Sequence, residues 1–199
     1  MTLLPSSTLA DIMTSDVRSL SPHATLKEAS QLMSDERLSS LLISLDGQPL
    51  GIVTETDILR ALHERRASDT RLDVLMSRPL ITAPPHLDLI AARRLVESQH
   101  IHHLGIADAG GRIIGMVSDT DFRFHLGTAV FGQLRTLNNA MDRKIPQLPP
   151  EATLEQAVAC MLEYSADFVI VIEQGLPVGI LTERDIPRLI THSPEPHRL

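Results

Sequence analysis

Three stretches decide how this chain is read: GIVTETD from Gly51 to Asp57, GMVSDTD from Gly115 to Asp121, and GILTERD from Gly179 to Asp185. They align without a gap, and their glycines lie 64 and 64 residues apart. The register continues upstream, where Met13, Met76 and Met141 each precede a proline by nine positions, at Pro22, Pro85 and Pro150. Self-similarity at a fixed period marks a repeat architecture. The chain is therefore divided into a leader (1–10), a first copy (11–66), a second (67–127), a linker (128–137), a third copy (138–190) and a tail (191–199).

Periodicity places the elements within a copy. Leu26, Ala29, Leu32 and Met33 share one helical face, as do Leu89, Ala92, Leu95 and Val96, and Leu154, Ala157, Cys160 and Met161. A short apolar run follows (Leu41 to Leu45, Leu104 to Ala107, Phe168 to Ile172), then a polar turn containing Gly47, Gly110-Gly111 or Gly175, then a second run ending in the glycine motif. Two strands joined by a hairpin fit that order. The last Asp of each motif stands just before Ile58, Phe122 or Ile186, where it is expected to cap a second helix, and Pro187 is tolerated in the first turn. Each copy reads strand, helix, strand, strand, helix: an α/β (α+β) unit with a small three-stranded sheet and two helices.

Composition bounds the function classes. With 43% hydrophobic and 22% charged residues the 199-residue chain can build a core, but no Trp, one Tyr and four Phe leave that core to aliphatic side chains. A net charge of -7 repels nucleic acid and anionic lipid, and no apolar run approaches the roughly 20 residues needed to cross a bilayer. The N-terminus lacks the basic and apolar regions of a signal peptide, and a single Cys160 forms no intramolecular disulfide, so a cytoplasmic location is expected. No nucleic acid and no membrane are expected as partners.

The threefold pattern of a Met-containing opening, an amphipathic helix, two strands and G-h-h-[ST]-x-x-D resembles the cystathionine-beta-synthase (CBS) domain family over about residues 11 to 190. The resemblance implies tandem repeats paired into a Bateman-type module that binds adenine nucleotides and regulates an attached domain. AMP, ADP or ATP is then the candidate ligand, with no cofactor required. Similar triple-repeat regions precede cyclic-diguanylate enzymes and sensor kinases, so a downstream effector of that kind is an implied partner.

The glycine motif also has a chemistry of its own. A carboxylate at a loop-to-helix junction can accept both hydroxyls of a ribose diol, while a Thr or Ser hydroxyl and the free N–H groups of a helix start can hold a phosphate. Asp57, Asp121 and Asp185 are the candidates for the diol, and Thr54, Ser118 and Thr182 for the phosphate. The competing reading is structural: each Asp caps its helix, and each Thr or Ser satisfies the turn. Copy three has Arg184 just before Asp185 and Arg188 a turn later, adding charge for a phosphate, and copy two adds His102 and His103 at its strand start, where family members contact nucleotide, so neither outranks the other.

The run Gln99-His100-Ile101-His102-His103 is not expected to bind metal: on a strand His103 points away from His100 and His102, and no Cys or Glu pair completes four ligands. Cys160 lies on an apolar helical face and is expected to be core. No phosphate-binding loop, nucleophile elbow or H-E-x-x-H is present, so no catalytic activity is expected. Copies one and two, joined by the short polar stretch Glu64 to Thr70, are expected to pair. Copy three, without a fourth copy, is expected to bury its sheet face in a homodimer. The two functions that fit are a ligand-sensing regulatory module and a non-binding homodimerisation scaffold.

Overall fold

A computed structural model describes residues 7–126 and 145–191. The linker expected at 128–137, the opening of copy three before residue 145 and the tail from 192 lie outside the described residues. Repeat 1 consists of β1 (Ser19–Leu20), α1 (Leu26–Glu36), β2 (Ser40–Leu45), β3 (Gln48–Thr54) and α2 (Glu55–His63). A one-turn helix, α3 (Leu72–Leu75), precedes repeat 2, which consists of β4 (Thr82–Ala83), α4 (Leu89–Gln99), β5 (His103–Ala107), β6 (Ile113–Ser118) and α5 (Asp119–Leu126). Repeat 3 has β7 (Gln147–Leu148), α6 (Leu154–Tyr164), β8 (Phe168–Glu173) and β9 (Leu176–Thr182). It ends in a 3-10 turn (Glu183–Asp185) that runs into α7 (Ile186–Thr191). This is the order that periodicity predicts, and each repeat forms its own three-stranded sheet in chain order. In repeats 2 and 3 the short first strand runs parallel to the second, and the second and third form an antiparallel hairpin.

Local chemistry sets the element ends. Thr25 and Thr153 start α1 and α6 with reciprocal capping boxes to Glu28 and Gln156, and the Asp88 carboxylate accepts from Ala91 N–H at the start of α4. All three of these helices end on a residue in the left-handed region, Arg37 (φ 56), His100 (φ 52) and Ser165 (φ 50). The hairpins of repeats 1 and 3 turn on Asp46-Gly47 and Gln174-Gly175, each residue at positive φ, as a two-residue type I′ turn requires. In repeat 2 the connection is wider, and the Asp108 carboxylate organises it by accepting from Gly110 N–H (2.9 Å) and Arg112 N–H (3.0 Å). His100 corrects one expectation: it closes a helix, and the strand starts only at His103, so the histidine run does not lie on one strand.

The chain divides into two compact units. One holds repeat 2, the N-terminal lead-in and the Ser44–Gly51 hairpin tip. Its core is Ala83, Leu89, Ala92, Val96, Leu104, Ile106, Val117 and Phe122, joined by Leu9 and Ile12. Leu9 is fully buried and Thr14 exchanges two backbone hydrogen bonds with Met116 (2.9 and 3.0 Å), so the supposed leader contributes to the core of repeat 2.

The other unit holds the rest of repeat 1 together with repeat 3. Leu26, Ala29, Met33, Ile43, Val53 and Ile58 form one core with Val158, Met161, Val169 and Ile186, and α1 packs on α7 and α2 on α6. Repeat 3 thus has a partner inside the chain, which corrects the expectation that its only partner is another molecule. Its helices and Val169 of β8 are covered, but the outer strand β9 is not. Leu176, Val178 and Ile180 on β9 are 68%, 56% and 62% exposed, and a bulge at Val178 interrupts the alternation of faces between Leu176 and Ile180. At the position equivalent to Ile180, Ile52 is 8% exposed and its backbone is bridged on both sides by Ser77.

Candidate functional site

The glycine motif ends on a helix start that differs from the expected one. In repeat 1 α2 begins at Glu55, two residues before the Asp, with Thr54 as its N-cap. Asp57 is the third helical residue: its Oδ2 accepts from Thr54 N–H (2.9 Å) and Thr54 Oγ1 (2.8 Å), and its own N–H donates to Thr54 Oγ1 (3.3 Å). Asp121 accepts from Ser118 N–H and Oγ, both at 2.7 Å, and Asp185 accepts from Thr182 N–H (3.0 Å) and Oγ1 (2.8 Å). The Thr or Ser three residues before the Asp is therefore accounted for by the Asp carboxylate that accepts from it in every copy, a reciprocal capping box in repeats 1 and 3. The first helical N–H is held the same way in every copy, by the carbonyls of Ser39 (3.2 Å), His102 (2.9 Å) and Asp167 (2.9 Å).

Capping occupies one carboxylate oxygen. The other distinguishes the copies. Asp57 Oδ1 accepts from Arg60 Nη1 and Ser77 Oγ, both at 3.1 Å, and the residue is 4% exposed. It lines a cavity of about 280 Å³ between α2 and the segment after α3. Arg60, Glu64 and Arg66 provide the charged wall, and Ala61, Val74, Leu75 and Met76 the apolar one. In repeat 3, Asp185 Oδ1 lies 3.9 Å from Arg188 and the side chain is 38% exposed.

The remaining candidates fall into different surroundings. His103 opens β5 in register with Ser118, which brings it beside the repeat 2 motif. His102 is 75% exposed and its Nδ1 lies 2.8 Å from Asp119 Oδ2, while Arg93 Nη1 reaches Asp119 Oδ1 at 2.6 Å. Arg184, in the 3-10 turn of repeat 3, acts electrostatically on Glu55 of repeat 1. Charge and histidines favour copies two and three in the sequence, whereas the lined cavity lies in repeat 1. Arg60, Arg66 and Ser77 escape the sequence reading: Arg60 is one turn from Asp57 and could have been found by helical spacing, but Ser77 reaches the site only through the tertiary fold.

A three-stranded sheet with two helices, repeated around a capped G-h-h-[ST]-x-x-D turn, defines a tandem-repeat regulatory module of the CBS class. The CBS domain family model matches residues 9–64, 71–127 and 135–192, so the chain belongs to that family. Among solved structures it is similar to a Methanocaldococcus jannaschii protein described as a proposed archaeal homologue of g-AMPK. The TM-score is 0.77 and the identity 17%, covering 94% of this chain and 73% of that one. It is also similar to a CBS domain pair solved in complex with 5′-methylthioadenosine and S-adenosyl-L-methionine, with TM-score 0.56, 21% identity, and 65% and 100% coverage. The CBS domain-containing protein YhcV of Bacillus subtilis is 30% identical over 113 residues, 56% of this chain and 80% of that protein. A homoserine O-acetyltransferase of Methanohalophilus mahii is 32% identical over 118 residues, 59% of this chain. The match spans only 24% of that enzyme. No helix among the described residues is long and apolar enough to cross a membrane.

Proposed function

We propose that this regulatory module senses an adenine nucleotide or a related adenosine-containing metabolite at the repeat 1 cavity, and passes its occupancy to a partner or fused effector. The carrying observation is Asp57: a buried carboxylate with one oxygen committed to the helix cap and the other lining the cavity. A ribose diol can take over the Oδ1 contacts of Ser77 and Arg60, releasing those donors, with Arg66, toward a phosphate, while Val74 to Met76 offer apolar cover for a base. A cavity of about 280 Å³ stands at the lower end of the roughly 300–1,000 Å³ of small-molecule sites. The CBS pair solved with methylthioadenosine and S-adenosylmethionine supports this ligand class. Thr182, Asp185 and Arg184 of repeat 3, and Ser118, Asp121, His102 and His103 of repeat 2, are the corresponding candidates in the other copies. The exposed outer strand β9 of repeat 3 supports a homodimer through that repeat. The proposed activity is binding without turnover, because the motif hydroxyls and carboxylates are engaged in caps.

Calorimetric titration of AMP, ADP and ATP tests the reading. Asp57→Asn keeps a cap acceptor but removes the charge, and is expected to weaken binding by about ten- to 100-fold, the equivalent of roughly 1.5–3 kcal/mol. Asp121→Asn and Asp185→Asn are expected to leave the repeat 1 site intact. Absence of uptake at millimolar nucleotide favours the non-binding dimerisation scaffold instead.

A further inference from the structure

The first turn of α2 meets the 3-10 turn of repeat 3, where Thr56 Oγ1 donates to Glu183 Oε2 at 3.4 Å. Glu55 sits at this contact and is 7% exposed. Its backbone N–H is fixed by Ser39 O, but no hydrogen bond or ion pair is formed by its carboxyl among the described residues. Burial, reinforced by the facing Glu183, Asp167 and Asp185, pushes that carboxyl up to about 7, and only Arg184 opposes the shift.

Repeat 2 handles the same position differently. There the acid is Asp119, and Arg93 and His102 hold it at 2.6 and 2.8 Å. Counting along the first helix of each repeat, Arg93 corresponds to Ser30 in repeat 1 and Val158 in repeat 3, both buried. Where repeats 1 and 3 share a core, the cation that answers this acid is replaced by a small or apolar side chain. The other charges on the elements packed against Glu55 are engaged elsewhere. On α2 itself Asp57 is bound by Arg60; from α6, Glu155 pairs with Arg65 and also feels His63. Glu163, also on α6, acts on Cys160. Arg188 of α7 lies near Asp185, and Asp73 of α3 pairs with Arg71.

We propose that the contact between repeats 1 and 3 is a proton-sensitive joint: with the Glu55 carboxyl neutral, α2 packs closed against repeat 3, and ionisation of Glu55 opposite Glu183, Asp167 and Asp185 loosens it. The joint operates without ligand, so it stands or falls independently of the adenine-nucleotide reading. Because the group binds its proton more tightly when folded than unfolded, its contribution is complete below the ordinary carboxyl value of 4.5 and is lost as pH rises toward about 7.

Denaturant unfolding of the ligand-free chain at pH 5.5, 6.5, 7.5 and 8.5, wild type beside Glu55→Gln, reads the effect while cancelling every other titration. The ratio of wild-type to variant unfolding constants is expected to rise up to about tenfold per pH unit between 5.5 and 6.5 and to level off by 8.5. Hydrogen exchange should show protection at residues 55–59 and 186–190 falling over the same interval in wild type only. A ratio that does not change with pH overturns the proposal. If Glu55→Gln does not fold, Glu183→Gln decides: removing one charge that repels ionised Glu55 is expected to move the midpoint of the pH profile to lower pH than in wild type, and an unmoved midpoint overturns the proposal.

Discussion

Ser77 Oγ donates to Asp57 Oδ1 at 3.1 Å, so a residue that follows α3 is tied directly to the motif carboxylate on α2. With the Thr54 cap and Arg60, this gives one buried carboxylate four donors from three other residues. The same side chain therefore caps the start of a helix, braces the segment after α3 and lines the cavity.

Asp57→Ala should consequently cost more stability than the same change at Asp185. Loss of a cap is about 1 kcal/mol. At Asp57 the charged hydrogen bonds to Arg60 and Ser77 go as well, for a total of about 2–3 kcal/mol. Asp185, 38% exposed and with a 3.9 Å approach from Arg188, should cost about 1 kcal/mol. Denaturant midpoints at constant m-value measure both, and equal losses would contradict the difference in their surroundings.

The motif glycines predict a second contrast. A Cβ on Gly115 would lie 2.6 Å from Met13 Sδ and 3.1 Å from Met13 Cβ, so the lead-in must shift to admit it. At Gly179 the nearest atom is Val171 Cβ at 3.9 Å. Gly115→Ala should destabilise by about 1–3 kcal/mol, and Gly179→Ala by less than about 0.5 kcal/mol, because a strand alanine offsets ordinary contact. Thermal melts that rank the two in the opposite order would refute the assignment of Met13 to this packing.

Repeat count, element order and the apolar faces are legible in the sequence because each copy confirms the other two: Ala29, Ala92 and Ala157 fall at one position and all three are buried. The helix start was legible in principle, since Thr54-x-x-Asp57 is itself a capping box, but its Asp also looks like a cap to the residues that follow. Which repeats share a core was not legible from the common pattern. That choice shows in the residues that differ between copies, Ser30 and Val158 against Arg93, whose meaning depends on the tertiary neighbours. The place of His100 is hidden for a similar reason, because a left-handed helix end leaves no apolar period behind it. The cavity needed Ser77, which the chain brings beside Asp57 through a backbone bridge to Ile52.

The left-handed helix ends give a third prediction. Ser165 at φ 50 carries a Cβ where glycine is favoured. Ser165→Gly should stabilise the chain by about 0.5–1 kcal/mol, the relief of the left-handed conformation less the extra freedom glycine gains when unfolded. An unchanged or lower melting temperature would count against that conformation at Ser165.

The open face of β9 gives the last prediction. Val178 and Ile180 are exposed on β9, while Leu181, next to Ile180 and so on the other side of the strand, packs against the core shared with repeat 1. Lysines on the outer side should therefore leave the core intact and act on association alone. Such an exposed apolar patch on an outer strand fits burial against a second copy of itself, since a twofold interface matches one patch to the same patch. The wild type should scatter light as a dimer of a 21.9 kDa chain at tens of micromolar. Val178→Lys with Ile180→Lys should scatter as the monomer, with a two-state melt retained at the same concentration. Replacing the equivalent Ile52, 8% exposed and bridged by Ser77, should instead destabilise the fold by about 2–4 kcal/mol, because it buries a charge without a partner. A wild type that remains monomeric at tens of micromolar, or a double variant that stays dimeric, would remove repeat 3 as the assembly surface.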